Sequence, residues 1–232
     1  MKKASLISTD DVEALDNSFS TVDFTIKVVC AGEAGVGKTS MVRSKEGFDS
    51  VYKSTICFEH SWKNFRVNEK VIRMQIWDTS GQELYRSLIN KFYRDCHVVI
   101  IVFAVDNMES FEKLEMWLKE IKSYADNDTI LYLVGNKNDN ENRVVSKEKI
   151  DSFMSASNIE CYKECSAKRA ESVDEILKDI IAKGYNKFIL PKVNSGECDS
   201  RASTRNKGDD AFNLKTTSSK SGCNKECLCC GQ

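Results

Sequence analysis

The chain is poor in proline, in histidine, in net charge and in long apolar runs, and each shortage removes a class of explanation. Its 232 residues hold a single proline, Pro191. Everything before it is free of that breaker of helices and strands. Lysine and arginine number 34 against 35 aspartates and glutamates, a net charge of −1. No basic field is present to hold a polyanion, so nucleic acid is not an expected partner. The longest apolar run, Val98 to Val105, falls far short of the roughly 20 residues that span a bilayer and suits a buried strand. The polar, acidic stretch from Met1 to Val22 has no apolar centre of the export-signal kind. Ten cysteines invite a disulfide reading, but without an export signal buried free thiols in a reducing compartment are the simpler expectation. Cys30, Cys57, Cys96 and Cys165 lie in or beside apolar stretches, and Cys223, Cys227, Cys229 and Cys230 crowd the C-terminus.

What is present is a regular alternation. Residues 1–22 lack sustained periodicity and are expected to be a flexible extension. A strand over Thr25–Ala31 runs into a glycine-rich turn, with a helix opening at Lys38. Phe58–Arg66 and Val71–Trp77 predict a hairpin, in which Ile72, Met74 and Ile76 face opposite to Arg73 and Gln75. His97–Val105, Thr129–Gly135 and Ile159–Cys165 predict further strands. Phe111–Tyr124, Ser146–Ser157 and Val173–Phe188 have helical spacing, with Leu114, Trp117, Leu118 and Ile121 on one stripe. The expected class is α/β: a mostly parallel six-stranded sheet with one antiparallel edge strand and helices on both faces. The domain is expected to occupy 23–188. From 189 the composition turns to Ser, Asn, Gly, Lys and Thr, which predicts a disordered tail to residue 232.

The motifs fall at the carboxyl ends of the strands, where ligands of such sheets bind. Gly32-Glu33-Ala34-Gly35-Val36-Gly37-Lys38-Thr39 follows a strand and opens a helix. Its glycines allow successive backbone N–H groups to close on phosphate oxygens, from Gly35, Val36 and Gly37 through to Ser40 at the helix start. The Lys38 ammonium can reach β- and γ-phosphates, and the Thr39 hydroxyl can ligate Mg²⁺. Alone, this pattern is shared by many ATPases and kinases. Asp78 ends a strand, where a carboxylate can hold Mg²⁺ through water. In Thr79-Ser80-Gly81-Gln82-Glu83, Gly81 can offer its N–H to a γ-phosphate and Gln82 can orient an attacking water.

Asn136-Lys137-Asn138-Asp139 follows another strand. The Asp139 carboxylate can accept from guanine N1–H and its exocyclic amino group. Adenine lacks both donors, and leaving the carboxylate unpaired penalises it by a factor on the order of 10⁴. Asn136 and Lys137 brace the loop, the Lys137 stem flanking the base. Cys165-Ser166-Ala167-Lys168 follows the next strand and can lend the Ala167 N–H to guanine O6.

With these motifs in this order, residues 23–188 resemble a small GTPase of the Ras superfamily. The match to its Rab branch rests on Trp77-Asp78-Thr79-Ser80-Gly81-Gln82-Glu83, Phe92-Tyr93-Arg94 and the paired terminal cysteines. The resemblance implies a phosphate-loop GTPase domain with GTP or GDP and Mg²⁺ bound, acting as a switch in vesicle traffic. It also implies an exchange factor, a GTPase-activating protein, a GDP-dissociation inhibitor, a prenyltransferase escort and effectors. Ser54-Thr55-Ile56-Cys57-Phe58-Glu59 resembles the first switch, where Thr55 completes the Mg²⁺ shell only in the triphosphate state. Phe48 is placed to stack beside guanine. Ordinary loop packing for Phe48 and a plain strand-edge role for Thr55 are the alternatives. Lys38 and Gln82 are the expected catalytic residues.

Departures accompany the likeness. Thr39 to Thr55 is about two residues shorter than the family pattern, a loss that falls within Ser40–Gly47 and shortens the first helix. Cys57, Phe58-Glu59-His60 and Leu84-Tyr85 replace usual switch residues. No arginine lies between Phe48 and Thr55 to act in cis. Slow hydrolysis, accelerated by a residue supplied in trans, is expected. A GTP-binding scaffold that barely hydrolyses and a Ras-type signalling GTPase are the alternatives, and a metabolic kinase conflicts with Asp139.

Cys229-Cys230-Gly231-Gln232 resembles the terminal pair that Rab-type proteins carry geranylgeranylated. One lipid holds weakly, so two are expected to anchor the chain to the cytoplasmic face of a membrane, with cycling to the cytosol. The tail's basic residues are offset by five acidic ones and form no polybasic patch. Palmitoylation at Cys223 or Cys227 is a further possibility. A zinc site from the four cysteines is a competing reading that no histidine supports.

Overall fold

The order of strands and helices follows the alternation in the chain. The computed structural model describes residues 5–16, 21–44, 58–79, 86–159 and 161–195, with the backbone alone at 86–89. After a 3₁₀ turn at Thr9–Asp11 come β1 (Val12–Leu15), β2 (Phe24–Ala31), α1 (Lys38–Val42), β3 (Phe58–Val67), β4 (Lys70–Thr79), α2 (Arg86–Tyr93) and β5 (Val98–Ala104). Then follow α3 (Met108–Glu112), α4 (Leu114–Tyr124), β6 (Ile130–Asn136), α5 (Lys147–Ser157), β7 (Cys161–Glu164) and α6 (Ala170–Gly184). A π-helical turn (Tyr185–Ile189) joins α6 to α7 (Leu190–Ser195). No helix among the described residues is long and apolar enough to cross a membrane.

One sheet of seven strands forms, in the order β1-β3-β4-β2-β5-β6-β7. β4, β2, β5, β6 and β7 run parallel, and β3 is antiparallel to β4. From β2 the chain builds first to one side, through β3 and β4, and then to the other through β5. The order therefore reverses beside β2, and the loop after β2 opens into the crevice this reversal leaves.

Burial explains the strand sequences. β5, Val-Val-Ile-Ile-Val-Phe-Ala, is buried at every position because helices cover both faces. In β4, Ile72, Met74 and Ile76 are fully buried while Arg73 and Gln75 are not. One core face packs Ile26, Val28, Ile100 and Val134 with α1 and α6 residues Met41, Val173, Ile176 and Ile180. The other packs Val29, Ile101 and Leu133 with Leu114, Trp117, Leu118 and Ile121 of α4 and Ile150 of α5. Cys30, Cys96 and Cys165 are buried free thiols, as expected, and burial raises the pKa of each.

Three expectations are corrected. The sheet has seven strands, because part of the N-terminal extension joins it: β1 pairs antiparallel with β3, Val12 opposite Val67 and Leu15 opposite Asn64. Thus β1, not the hairpin strand, takes the edge. Residues 5–16 are ordered. Ile7 and Val12 are buried, the Ile7 N–H donates to Asn186 Oδ1 at 3.0 Å, and Asn186 Nδ2 donates to the Ile7 carbonyl at 2.8 Å. A four-residue strand shows too little alternation to be seen, and its partners lie far along the chain.

Helical structure continues past residue 189, to Ser195. The last helix runs through Pro191, which sits in the first turn of α7. Just before it the Leu190 N–H bonds the Tyr185 carbonyl five residues back, a wider turn than an α-helix makes. A proline is tolerated in the first turn of a helix, where the N–H it lacks is least needed. Burial of Ile189 and Leu190 then favours continuing the helix.

Candidate nucleotide site

Gly32–Gly37 leaves β2 and wraps into the N-terminus of α1. Gly32, Gly35 and Gly37 all have positive φ, at 134°, 76° and 96°. A Cβ at Gly37 would lie 2.2 Å from Asn136 Nδ2, and one at Gly32 would lie 2.2 Å from the Val102 carbonyl oxygen. Both positions therefore require glycine for close approach as well as for backbone shape.

Lys38 is buried, and its ammonium donates to the carbonyls of Gly32 and Glu33, each at 2.8 Å. An ammonium has three donors, so one remains for an anion in front of the loop. Burial lowers its pKa to about 8, against the pull of Asp78 and Glu33. A cation desolvated in this way gains strongly from a bound phosphate.

Thr39 Oγ1 donates to Asp78 Oδ2 at 2.5 Å, which joins the start of α1 to the end of β4. Asp78 is buried, and burial raises its pKa to about 6, opposed by the Thr39 bond and Lys38. Its Oδ1 is buried without a hydrogen-bond partner among the described residues. A buried, half-satisfied carboxylate beside a hydroxyl is a donor set that suits Mg²⁺, a hard oxygen-binding cation.

On the base side, Asn136 is almost fully buried at the end of β6. Its Nδ2 donates to the Val36 carbonyl at 2.7 Å, and its Oδ1 accepts from the Ala167 N–H at 3.0 Å. One side chain thus clasps the phosphate loop to the loop after β7. The Ala167 N–H, expected to be offered to guanine O6, is here bonded to Asn136. Cys165 Sγ also donates to Asn136 Oδ1 at 3.7 Å, and the Asn138 N–H donates to the Cys165 carbonyl.

Lys137 adopts a positive φ of 64°, and its Nζ lies 3.7 Å from Asp106 Oδ1. Lys168 Nζ donates to Asp139 Oδ2 at 2.8 Å, which holds that carboxyl below its usual pKa and keeps it acceptor-only at neutral pH. This ion pair faces solvent, so a ligand's N–H groups can displace Lys168 cheaply. Ser166 is fully buried, and its Oγ accepts from the Lys168 N–H.

The structure therefore brings together Gly35, Val36, Gly37, Lys38, Thr39, Asp78, Asn136, Lys137, Asp139, Ser166, Ala167 and Lys168, with Ser40 inside α1. Phe48, Thr55, Gly81, Gln82, Cys229 and Cys230 lie outside the described residues.

Two features were not foreseen. Glu33, a non-glycine position of the glycine loop, accepts from Trp117 Nε1 at 2.9 Å and from Lys113 Nζ at 3.1 Å. In addition, Phe58, His60 and Phe92 all pack on Trp77, with ring centroids 5.5, 4.6 and 4.6 Å away. In the sequence Trp77 and Phe92 stand out only as markers of the Rab branch.

The Ras family pattern matches residues 27–186. That span holds both halves of the site and most of the domain. This chain belongs to the Ras family. Similar proteins include Ras-related protein Rab-30 of Homo sapiens, 38% identical over 166 residues, covering 70% of this chain and 81% of that protein. Ras-related protein RABA1c of Arabidopsis thaliana is 34% identical over 206 residues, covering 87% and 94%. GTP-binding protein ypt3 of Schizosaccharomyces pombe is 35% identical over 178 residues, covering 75% and 83%. Within the Ras family this is a Rab-branch small GTPase, with the phosphate-loop GTPase fold.

Proposed function

We propose that this Rab-branch GTPase is a membrane-anchored switch in vesicle traffic that hydrolyses GTP slowly by itself. The observation that carries the nucleotide reading is the Asn136 clasp. It puts the phosphate loop, with its buried Lys38, and the base-side loops with Asp139 at one end of the sheet. In this reading Asp139 accepts from guanine N1–H and the exocyclic amino group, and the Lys137 stem lies along the base. The N–H groups of Gly35–Ser40 and the Lys38 ammonium bind phosphate oxygens.

Thr39 and Asp78 hold Mg²⁺, with Thr55 added in the triphosphate state. The ion, when bound, neutralises charge on the phosphates. The unpartnered Asp78 Oδ1 supports this assignment. Gln82 orients water, since an amide is too weak a base to deprotonate it. The Phe58–His60–Trp77–Phe92 cluster, which adjoins the expected switch segments along the chain, suits recognition by effectors. Lipids on Cys229 and Cys230 attach the chain to the cytoplasmic face of a membrane. The regulators are those that the family implies.

Single-turnover hydrolysis of GTP, with and without extract of the native cell, tests the catalytic half. The expected result is slow hydrolysis alone and strong acceleration in extract, with acceleration lost in Gln82→Leu. A trans arginine gives about 10³ to 10⁵ in rate. Fast unaided hydrolysis that Gln82→Leu leaves unchanged would refute the mechanism. No acceleration under any condition favours a binding-only scaffold. Intact mass of protein from its native cell tests lipidation: two isoprenoid additions are expected, and an unmodified C-terminus contradicts it.

A further inference from the structure

The loop that faces the phosphates is anchored from behind by a helix that lies outside the nucleotide motifs. Glu33 directs its carboxylate away from the ligand side and into α4. Its side chain is 15% exposed, and its Oε1 accepts from the indole N–H of Trp117, itself fully buried. Oε2 accepts from Lys113, which also pairs with Glu109 one turn earlier. The same residue's backbone carbonyl accepts from Lys38 Nζ, beside the carbonyl of Gly32. A continuous chain of bonds therefore runs from the core of α4, through Glu33, to the ammonium.

The anchor is rigid. Leu114, Trp117, Leu118 and Ile121 are buried against the sheet, so the indole cannot follow a moving loop. A bond from the buried indole to a partly buried carboxylate is charge-assisted, and such bonds are stronger than neutral ones. Without it, the carbonyls of Gly32 and Glu33 lose their fixed aim, and Lys38 can swing from the direction in which its third donor is useful. This influence is confined to the phosphate end. The base end keeps bonds of its own that do not pass through Glu33, from the Ala167 N–H to Asn136 Oδ1 and from the Asn138 N–H to the Cys165 carbonyl.

We infer that Glu33 is a positioning residue for the β-phosphate: anchored by Trp117 of α4 and by Lys113 at that helix's N-cap, it keeps the phosphate loop and Lys38 in the binding geometry. The inference rests on the guanine-nucleotide reading of this site. Glu33 itself touches no part of the ligand. Its effect is specific to nucleotides with a second phosphate, because Lys38 serves that phosphate and not the base or sugar.

The test measures dissociation of GDP and GMP from the full chain by competition with a fluorescent GDP, using millimolar GMP where needed. Glu33→Ala is expected to weaken GDP about ten-fold, the size of one lost charge-assisted bond, and GMP less than about two-fold. Trp117→Phe is expected to follow it. Glu33→Gln keeps an acceptor for the indole and is expected to recover GDP binding to within about three-fold of wild type. Should Glu33→Ala fail to fold, Trp117→Phe, which removes the indole donor and keeps an aromatic ring in the core, decides by the same GDP-to-GMP comparison. Parallel weakening of GDP and GMP would mean a merely structural role and overturn the inference, as would unchanged GDP binding. A wild-type chain that binds no GDP would instead refute the nucleotide reading.

Discussion

Replacing Asn136 by alanine removes the only side chain seen to join the two halves of the site among the described residues. Its two bonds, 2.7 Å to the Val36 carbonyl and 3.0 Å from the Ala167 N–H, are both buried. Alanine can neither donate nor accept there, so one buried carbonyl and one buried N–H are left without their partner. Each such orphan costs about 1–3 kcal/mol, giving a combined loss of roughly 2–6 kcal/mol. Against a total stability of about 5–15 kcal/mol this is large. If about 2 kcal/mol of it falls on the bound state, GDP leaves about 30-fold faster.

Urea unfolding at saturating GDP and displacement of a fluorescent GDP measure the two effects. Asn136→Asp is expected to fail as well, since its carboxylate would face the Val36 oxygen with no donor. Asn138→Ala supplies the control: that side chain accepts only an exposed bond from Arg169, at 2.7 Å, and its loss is expected to cost under about 0.5 kcal/mol. The reasoning is refuted if Asn136→Ala matches Asn138→Ala in both measurements.

Other expectations follow from other parts of the molecule. Deleting residues 1–16 uncovers Val67 and Phe65 and discards the buried Ile7 and Val12, so the unfolding free energy should fall by about 3 kcal/mol or more. An unchanged urea midpoint would show that the N-terminal strand adds nothing. Arg143 holds Glu164 through two bonds, 2.8 and 2.7 Å, and lowers its pKa from the usual 4.5. A lowered carboxylate pKa stabilises the fold above the unfolded value and loses that effect as pH falls through the folded one. The melting-temperature gap between wild type and Arg143→Met should therefore be full at pH 7 and shrink progressively as pH falls below the usual 4.5 and through the lowered folded value; a gap constant with pH contradicts the pairing. Asp78→Asn removes the charge proposed to hold Mg²⁺. Chelation by EDTA, expected to speed GDP release from wild type by at least about ten-fold, should then have little further effect. Equal acceleration of both proteins would remove Asp78 from the metal site.

Legibility in the sequence tracked the range of the interaction. β4 and β5 could be read because burial imposes a pattern within the strand itself, alternating in one and continuous in the other. The glycine loop could be read because its shape needs glycine where a Cβ would strike Asn136 or Val102. β1 could not, since its four residues gain meaning only beside β3 and its neighbour Ile7 only beside Asn186. Pro191 misled because the widening turn before it depends on the packing of Ile189 and Leu190, not on a local signal. At the site, the residue types and their order were legible while their mutual bonds were not. Ala167 was assigned to the ligand, yet its N–H meets Asn136. Glu33 carries no local signal, because its partners lie some eighty residues away, at the N-cap and in the body of α4.

The central claim is that this site takes guanine and not adenine nucleotides, and competition for a bound fluorescent GDP tests it most directly. Unlabelled GDP and GTP should displace the probe at matching concentrations, while ATP at about a 10³-fold excess should leave it in place. Displacement by ATP at concentrations comparable to GDP would contradict the role given to Asp139 and, with it, the account of the site.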